Sequence, residues 1–559
     1  MFKNNLPGIL FQLIFLSNTI NFNKIVNMKK IMICLLSFLC ILSITKSQLV
    51  TGENTAVTNT NSGKVRGYIN NSIYTYKGIP YAEAKRFERP QPPKPWTGIR
   101  SSMTYGPVAP LMDPTTSVQD EGEFVFHHDF GYTNEDCLRI NVWTPGINDG
   151  RKRPVMFWIH GGGFTAGSSQ ELPSYDGENL AKKGDAVVVS INHRLNILGF
   201  LDLSAYGEKY KHSANASMLD IKIALEWVKD NISNFGGDAN NVTIFGQSGG
   251  GAKVNTLMAM PSAKGLFHKA INQSGSFRMN MLEKATTQSI AAEVLKALNL
   301  QPNQADSLQG IPFAQLSEAG KKAIKIVADK MKAEGKPVLG FGLSWGPSSD
   351  GEDLPYQLFS KEAFELSKNI PLLIGTTKNE FTPFMNGTLN NAPLEKIKEV
   401  IKNQKADKAD AYIAAVKKAY PDDTKPSDLL DVDVTFRPGA VYQANEKSAL
   451  NAAPVYMYLF TWQSPVMDGK YKAVHCMDIP FAFNNIQRCQ EMTGGNKDAY
   501  ALADKVSAAF INFAKNGNPN DKGLPDWPAY NATNTSTMHF NNKCEVKPQL
   551  DKELFEISK

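Results

Sequence analysis

Residues 241–252 read NVTIFGQSGGGA and predict a strand, a sharp turn and a helix in succession. Val242 to Phe245 are β-branched or aromatic, which is typical of a short buried strand. The text from Ala252, AKVNTLMAM, favours a helix, whose N-terminus attracts negative charge. Gly246 to Gly250 form a G-x-S-x-G turn, which holds Ser248 in a strained conformation with its hydroxyl clear of the sheet. Glycines two positions to either side let neighbouring backbone pass.

A second match to this pattern, GLSWG at 342–346, shows that the motif alone is weak. Pro347 and a stretch rich in Asp and Gly follow it, so no helix is expected there. The strand before Ser248 and the helix after it therefore favour Ser248 over Ser344 as a nucleophile.

Three apolar runs precede the turn: CLRINVWTP (137–145), PVMFWIH (154–160) and DAVVVSINH (185–193). Their β-rich composition is typical of central strands buried on both faces. Residues 216–230, ASMLDIKIALEWVKD, have the apolar period of a helix. This alternation of strands and helices predicts an α/β protein with a mostly parallel sheet.

The glycine run in His160-Gly161-Gly162-Gly163-Phe164 directly follows the second of these apolar runs. Consecutive glycines at a strand end leave backbone amides uncovered, and an acyl-transfer enzyme uses such amides to hold an oxyanion. A plain loop is the alternative, but the position upstream of a G-x-S-x-G turn favours an oxyanion hole.

A serine nucleophile needs a base and an acid that orients it. In the α/β-hydrolase order the acid and then the histidine follow the serine in the chain. The candidates for the base are then His268, His475 and His539. His268 precedes every strand that could carry the acid, and His539 is expected to face outward from a terminal strand. His475 lies in a loop after the strand predicted at 453–462, APVYMYLFTW, and is the favoured base.

Two acids remain open as the third member of the site. Glu380 comes just past the apolar strand predicted at 370–376, which places it at the carboxyl edge of the sheet, where open α/β sheets bind ligands. Asp350 follows a strand predicted at 338–345 and is the alternative. Spacing alone does not separate them.

The first 47 residues contain five Lys, no Arg and no acidic residue. Met28-Lys29-Lys30 and the apolar run Ile31 to Ile44 precede Thr45-Lys46-Ser47, which has small residues at the −3 and −1 positions of a cleavage site. This pattern predicts a secretory signal, too short for a membrane span, with Met28 as an alternative start. Residues 48–559 are expected to form a single domain in a secreted or periplasmic protein without a stable membrane anchor.

Composition excludes some classes of function. An apolar content of 42% and a charged content of 20% fit a globular protein. Without the leader lysines the net charge falls from +6 to +1, so no nucleic-acid partner is expected. His127-His128 lacks ligands at metal-binding spacing and favours a packing or surface role. Four cysteines remain: Cys137, Cys476, Cys489 and Cys544. Export permits disulfides, and Cys489–Cys544 is the hypothesised pair, with Cys476 packed as an apolar residue.

Ten segments carry a family resemblance: YKGIPYA (76–82), RFERP (86–90), NEDCLRINVWTP (134–145), WIHGGGF (158–164), INHRLNILGF (191–200), NFGGDANNVTIFGQSGGG (234–251), INQSGS (271–276), GTTKNEF (375–381), HCMDIPFAF (475–483) and NGNPN (516–520). Together they resemble the type B carboxylesterases, which include cholinesterases, juvenile hormone esterases and bacterial para-nitrobenzyl esterases. The match spans nearly all of residues 57–545, and GQSGGG is most similar to bacterial members.

The resemblance implies an α/β-hydrolase fold, with a large mostly parallel central sheet, helices on both faces and helical insertions. It implies a catalytic triad of Ser248, Glu380 and His475, and an oxyanion hole from the amides of Gly162, Gly163 and Gly249. Three positions depart from the family pattern. Members of the family usually have a Cys upstream of the one in EDCL and bonded to it as a disulfide; here residues 107–111 read PVAPL, so Cys137 is expected to be unpaired. His193 replaces the usual Tyr, and Gln247 stands where cholinesterases carry Glu.

The expected function is that of a secreted serine carboxylesterase, which needs no metal or organic cofactor and acts on small-molecule esters. A lipase or amidase with the same triad is one alternative. A non-catalytic adhesion or binding module is another. Uncharged esters are the expected substrates, since no Trp occurs between Trp96 and Trp143 and Gln247 is neutral. A site for a quaternary ammonium would use a Trp face and nearby negative charge.

Overall fold

The computed structural model describes residues 49–111, 121–277, 280–336 and 342–558. The predicted signal peptide and the alternative start at Met28 lie outside the described residues, as do residues 337–341. The strand expected at 338–345 is wrong over its described part, because residues 342–345 form a loop and the strand there is Ser348–Ser349.

The strands, in chain order, are β1 Val57–Thr60, β2 Gly63–Arg66, β3 Tyr68–Asn70, β4 Ile73–Pro80, β5 Ile99–Ser101, β6 Arg139–Thr144, β7 Arg153–Ile159, β8 Val187–Ile191, β9 Gly237–Gln247, β10 Lys269–Gln273, β11 Leu282–Glu283, β12 Ser348–Ser349, β13 Leu372–Thr377, β14 Val455–Phe460, β15 Thr537–Phe540 and β16 Glu545–Lys547. The α-helices are α1 Glu121–Val125, α2 Glu178–Gly184, α3 Asn196–Phe200, α4 Ala216–Asn231, α5 Gly249–Met258, α6 Lys284–Ala297, α7 Phe313–Ala333, α8 Lys361–Leu366, α9 Thr382–Asn386, α10 Leu394–Lys405, α11 Ala409–Ala419, α12 Arg437–Ala449, α13 Ile479–Ala482, α14 Gln490–Thr493, α15 Lys497–Asn516 and α16 Lys552–Ser558.

The main sheet has eleven strands in the order β16-β15-β14-β13-β10-β9-β7-β8-β6-β4-β3. Every pairing from β15 through to β8 is parallel, and the pairings at both edges are antiparallel. The predicted mostly parallel sheet is confirmed, and Thr51–Lys559 forms one compact unit.

Strand β7 shows why the central runs are apolar without alternation. Val155, Phe157 and Ile159 belong to one hydrophobic cluster, while Met156 and Trp158 belong to another. Successive side chains of a strand point to opposite faces, so each face of the sheet carries its own core. Helix α4 contributes to the first core and α15 to the second. The prediction of strands buried on both faces is confirmed.

The parallel strands position the candidate site because their carboxyl ends lie at one edge. β7 ends at Ile159, β9 at Gln247, β10 at Gln273 and β13 at Thr377. The residues that follow these four ends, far apart in sequence, therefore meet at that edge, as open parallel sheets require.

Candidate active site

Ser248 occupies the turn between β9 and α5, with φ of 56° and ψ of −121°. A non-glycine residue in this region is strained. The turn closes tightly, because a Cβ on Gly246 would lie 2.5 Å from the carbonyl carbon of Gly250, and one on Gly250 would lie 2.0 Å from the Ile159 oxygen. The Ser248 amide donates to the Gln273 carbonyl at 2.8 Å. Ser248 is half-buried, while its neighbours Gln247 and Gly249 are buried, so the hydroxyl-bearing residue is the one that reaches solvent.

Ser344, in the second sequence match, lies in a loop that opens no helix. The nearest strand is the two-residue β12. The strand-turn-helix arrangement is therefore found at Ser248 and not at Ser344.

Glu380 and His475 meet just beyond the carboxyl end of β13. Glu380 Oε2 accepts a hydrogen bond from His475 Nδ1. The other carboxylate oxygen, Oε1, accepts from Ser274 Oγ at 2.7 Å and from the Thr377 amide at 2.9 Å. With both oxygens occupied and only 1% of Glu380 exposed, the carboxylate has one orientation, and it holds the imidazole in turn.

The imidazole of His475 is also held by its ring contacts. Phe381 stacks on it with a centroid separation of 4.1 Å, and Phe436 lies 5.1 Å away at a tilt. Gln247 Nε2 lies 3.2 Å from His475 Nε2, and Gln247 Oε1 accepts from Cys476 Sγ at 3.2 Å. Since Gln247 directly precedes Ser248, this contact brings together the histidine and the G-x-S-x-G turn at 246–250, which is called the elbow from here on. Within the described residues Ser248 Oγ and His475 are not hydrogen-bonded, and such bonds are often long in unliganded enzymes.

The three glycines expected in an oxyanion hole come together beside the elbow. Gly162 and Gly163 have φ of 76° and 62°, a region that glycine adopts without strain. A Cβ on Gly249 would lie 2.2 Å from the Gly163 oxygen and 2.4 Å from its nitrogen, so these two backbones are in direct contact. A Cβ on Gly161 would lie 3.6 Å from Ser248 Cβ. The glycine loop thus abuts both the serine and the first turn of α5.

The other acid and histidine candidates lie in different surroundings. Asp350 accepts hydrogen bonds from Asn215 Nδ2 and from the amides of Glu352 and Leu354. His268 Nδ1 accepts from the Val242 amide, near the start of the buried part of β9. His539 lies in β15, the second strand from the edge, and is half-buried with its pKa lowered to about 3 by burial. The expectation of a terminal strand is wrong, because β16 pairs with β15, whereas His539 is the one residue of β15 that is not fully buried.

The remaining predictions concern the four cysteines and the adjacent residues His127 and His128. Cys137 is buried and unpaired, as expected. The hypothesised Cys489–Cys544 disulfide is wrong, because both are free thiols. Cys489 packs in the core, and Cys544 Sγ donates to the Asn541 carbonyl at 3.5 Å. His128 hydrogen-bonds Glu123. In the part of the chain that the structure describes, no group of three or more His, Cys, Asp or Glu could hold a metal.

Sequence reasoning missed three groups at the site: Ser274, Thr377 and Lys253. Ser274 follows β10 within the segment INQSGS, and that segment of the family resemblance was the available signal. Thr377 ends β13 beside Glu380. Lys253 lies within the predicted helix, where an isolated lysine carries no signal.

Comparison with known proteins identifies the family of this chain. A model of the carboxylesterase family matches residues 54–557. The para-nitrobenzyl esterase of Bacillus subtilis is 34% identical over 501 residues, covering 88% of this chain and 96% of that enzyme. The phenmedipham hydrolase of Pseudarthrobacter oxydans is 32% identical, covering 86% and 94%. A solved esterase from the anaerobe Clostridium hathewayi, described as able to hydrolyse aliphatic aromatic polyesters, has a TM-score of 0.80 at 36% identity, covering 91% of this chain and 99% of that chain.

The chain therefore belongs to the carboxylesterase family, and the predicted α/β-hydrolase fold is confirmed. It is a carboxylic ester hydrolase that acts on small-molecule esters. Among the described residues, no helix is both long and apolar enough to cross a membrane.

Proposed function

We propose that this protein is an exported serine carboxylesterase that hydrolyses uncharged esters through an acyl-enzyme, with Ser248, His475 and Glu380 as its triad. The observation that carries the proposal is the Glu380 carboxylate, bound on one oxygen by His475 Nδ1 and on the other by Ser274 and Thr377. A carboxylate fixed in this way keeps the Nδ1 proton in place, so His475 Nε2, which lies 3.2 Å from Gln247 Nε2, carries the lone pair that acts as a base.

In the first half of the reaction Ser248 Oγ attacks the ester carbonyl while its proton passes to His475 Nε2. The tetrahedral oxyanion is held by the amides of Gly162, Gly163 and Gly249; removing one such donor typically costs about 3 kcal/mol. His475 then gives the proton to the leaving alkoxide, which departs as the alcohol. Glu380 stabilises the imidazolium between these two transfers.

In the second half water attacks the acyl-enzyme, and His475 takes one proton from that water. The second tetrahedral intermediate collapses to the carboxylic acid as His475 returns the proton to Ser248 Oγ. This cycle restores the enzyme and uses only ester and water.

The preference for uncharged esters is supported by an aromatic wall beside His475, formed by Phe381, Phe384, Phe436, Phe126 and Tyr471. Phe384 lies 5.5 Å from Phe126, 5.6 Å from Tyr471 and 6.3 Å from Phe381 between ring centroids. Phe381 and Phe384 are each 37% exposed. Such a wall favours apolar acyl or alcohol groups, since its contacts stabilise by removing apolar surface from water.

Labelling with a fluorophosphonate tests the nucleophile. The expected adduct is on the peptide that contains Ser248, and S248A is expected to lose both labelling and esterase activity. S344A is the matched control and should retain both. An adduct on Ser344 would refute the elbow assignment. A panel of para-nitrophenyl esters of graded chain length then defines the acyl preference, expected to be for short to medium chains.

Export is proposed from the leader, with cleavage after Ser47. Sequencing the N-terminus of the protein recovered from the periplasm or medium should give Gln48 as the first residue. Retention of the whole product in the cytoplasm with its leader uncleaved would contradict this part of the proposal.

A further inference from the structure

Lys253 lies directly beneath the glycine loop, which is defined here as residues 160–164. It is the fifth residue of α5, and its side chain is completely buried. Nζ donates to the His160 carbonyl at 3.1 Å and to the Gly161 carbonyl at 3.4 Å. The side chain therefore ties the elbow helix to the loop that carries Gly162 and Gly163.

The surroundings of this ammonium group are unusual for a buried cation. Within the described residues the contacts of Nζ are these two carbonyls, with no carboxylate within 4.0 Å, and the Phe164 ring centroid is 5.7 Å away. Glu171 is the buried acid whose charge acts on it. Burying a cation without a directly paired acid is costly. A buried lysine that contacts only carbonyl oxygens is therefore expected to have a specific role.

We infer that Lys253 is a positioning residue for ester hydrolysis, whose ammonium group fixes the glycine loop and strengthens the Gly162 amide as an oxyanion donor. The inference rests on the proposed triad and oxyanion hole. The Gly161 carbonyl and the Gly162 N–H belong to one planar peptide unit. A donor at that oxygen therefore sets the direction of the N–H and polarises it, as linked hydrogen bonds do.

The two histidines beside Lys253 do not supply this positive charge. His160 and His193 stack with ring centroids 4.8 Å apart. Burial and the charge of Lys253 hold the pKa of each far below its ordinary value. Both rings are therefore neutral at pH 7, and His160 Nδ1, 3.1 Å from the Gly161 oxygen, acts as a second donor to that carbonyl. Lys253 is the cation of the group.

The same burial makes the ammonium group sensitive to pH. Burial lowers the pKa of Lys253 to about 7, and the charge of Glu171 opposes that change. Burial also raises the pKa of Glu171 to about 7, while Tyr175 and the Ser168 amide donate to its carboxylate and oppose the rise. The groups that face Lys253 are thus Glu171, His160 and His193. Since Lys253 is charged below its pKa, kcat is expected to decline as pH rises above about 7.

The test compares K253M and K253Q with K447M as the matched control. Lys447 is also a buried lysine, with its pKa lowered to about 8 by burial, and it donates to the Ser367 carbonyl at 2.6 Å. Active sites are titrated with a fluorophosphonate first, so that a failure of labelling rejects the proposed function and is separate from any result on Lys253. K253M removes donor and charge, while K253Q keeps a donor and removes the charge.

K253M is expected to lower kcat by about 10- to 100-fold with little change in KM, as loss of an interaction formed only in the transition state does. K253M should also lower the affinity for a trifluoromethyl ketone inhibitor by a similar factor, because this inhibitor forms an oxyanion when it adds to Ser248. The decline of kcat above pH 7 should disappear in K253M and K253Q and persist in K447M.

Unchanged kcat and unchanged ketone affinity in K253M would overturn the inference. A purely structural role would lower the melting temperature of K253M and K447M alike without altering either pH profile, and this outcome also counts against it. If K253M does not fold, the test rests on the pH dependence of kcat in K253Q and in the wild type. A wild-type kcat that stays constant from pH 7 to 9 rejects the inference.

Discussion

Glu380 and His475 are joined twice, once through their side chains and once through the main chain, where the His475 amide donates to the Glu380 carbonyl at 2.9 Å. Glu380 also forms an isolated parallel bridge with Val474. The two loops that carry these residues are therefore aligned by backbone contacts as well as by the side-chain pair. The carboxylate has a fixed partner even though 95 residues separate the two positions.

Glu380→Gln is expected to lower kcat by about 10³- to 10⁴-fold, since an amide cannot stabilise the imidazolium and its NH₂ group selects the wrong tautomer. Steady-state kinetics with a para-nitrophenyl ester measure this loss. Asp350→Asn is the control, because Asp350 contacts Asn215 and its own loop, and it should leave kcat within a factor of two. Equal losses in the two variants would show that Glu380 is not the acid of the triad.

His475→Gln is expected to lower kcat by about 10⁴-fold or more, because it removes the proposed acceptor of the Ser248 proton. His539 lies in β15, outside the proposed triad. The His539→Gln variant should therefore hydrolyse the same ester at close to the wild-type rate. Both variants are compared after titration of active sites. A large loss in His539→Gln together with a small loss in His475→Gln would reverse the assignment.

His539 is expected to make the fold sensitive to acid. Its pKa falls from 6.5 in the unfolded chain to about 3 in the native state, so between these values the unfolded chain binds a proton that the folded chain does not. Stability from this group is therefore complete above pH 6.5 and decreases as pH falls towards 3. Urea denaturation from pH 7 to 4 should show a smaller loss of unfolding free energy in His539→Gln than in the wild type; identical slopes would exclude the effect.

Acetylcholine is expected to be a poorer substrate than phenyl acetate, which carries the same acyl group. The wall beside His475 presents phenyl rings, and the residue before the nucleophile is the neutral Gln247. Recognition of a quaternary ammonium uses an aromatic face, Trp best of all, aided by nearby negative charge. The ratio of kcat/KM for the two substrates at one ionic strength measures the preference, and a choline ester with equal or higher efficiency would contradict it.

The sequence alone determined the features that depend on neighbouring residues. The strand, turn and helix around Ser248 follow from a run of β-branched residues and from glycines such as Gly246, where an added Cβ would lie 2.5 Å from neighbouring backbone. The helix predicted at 216–230 is α4, Ala216–Asn231. The apolar runs became β6, β7 and β8 because a strand buried on both faces has no polar side to show in its pattern. Chain order reduced the candidate bases to three histidines.

Only the tertiary structure decided which distant residues touch. β10 lies between β9 and β13, so Ser274 reaches the carboxylate of Glu380 across 106 residues, and Asp350 is left in another loop. The same packing left Cys489 and Cys544 as free thiols and placed Lys253 under the glycine loop. Local patterns record the conformation that each segment prefers, whereas these contacts depend on the order of strands in the sheet, which arises from burial over the whole chain.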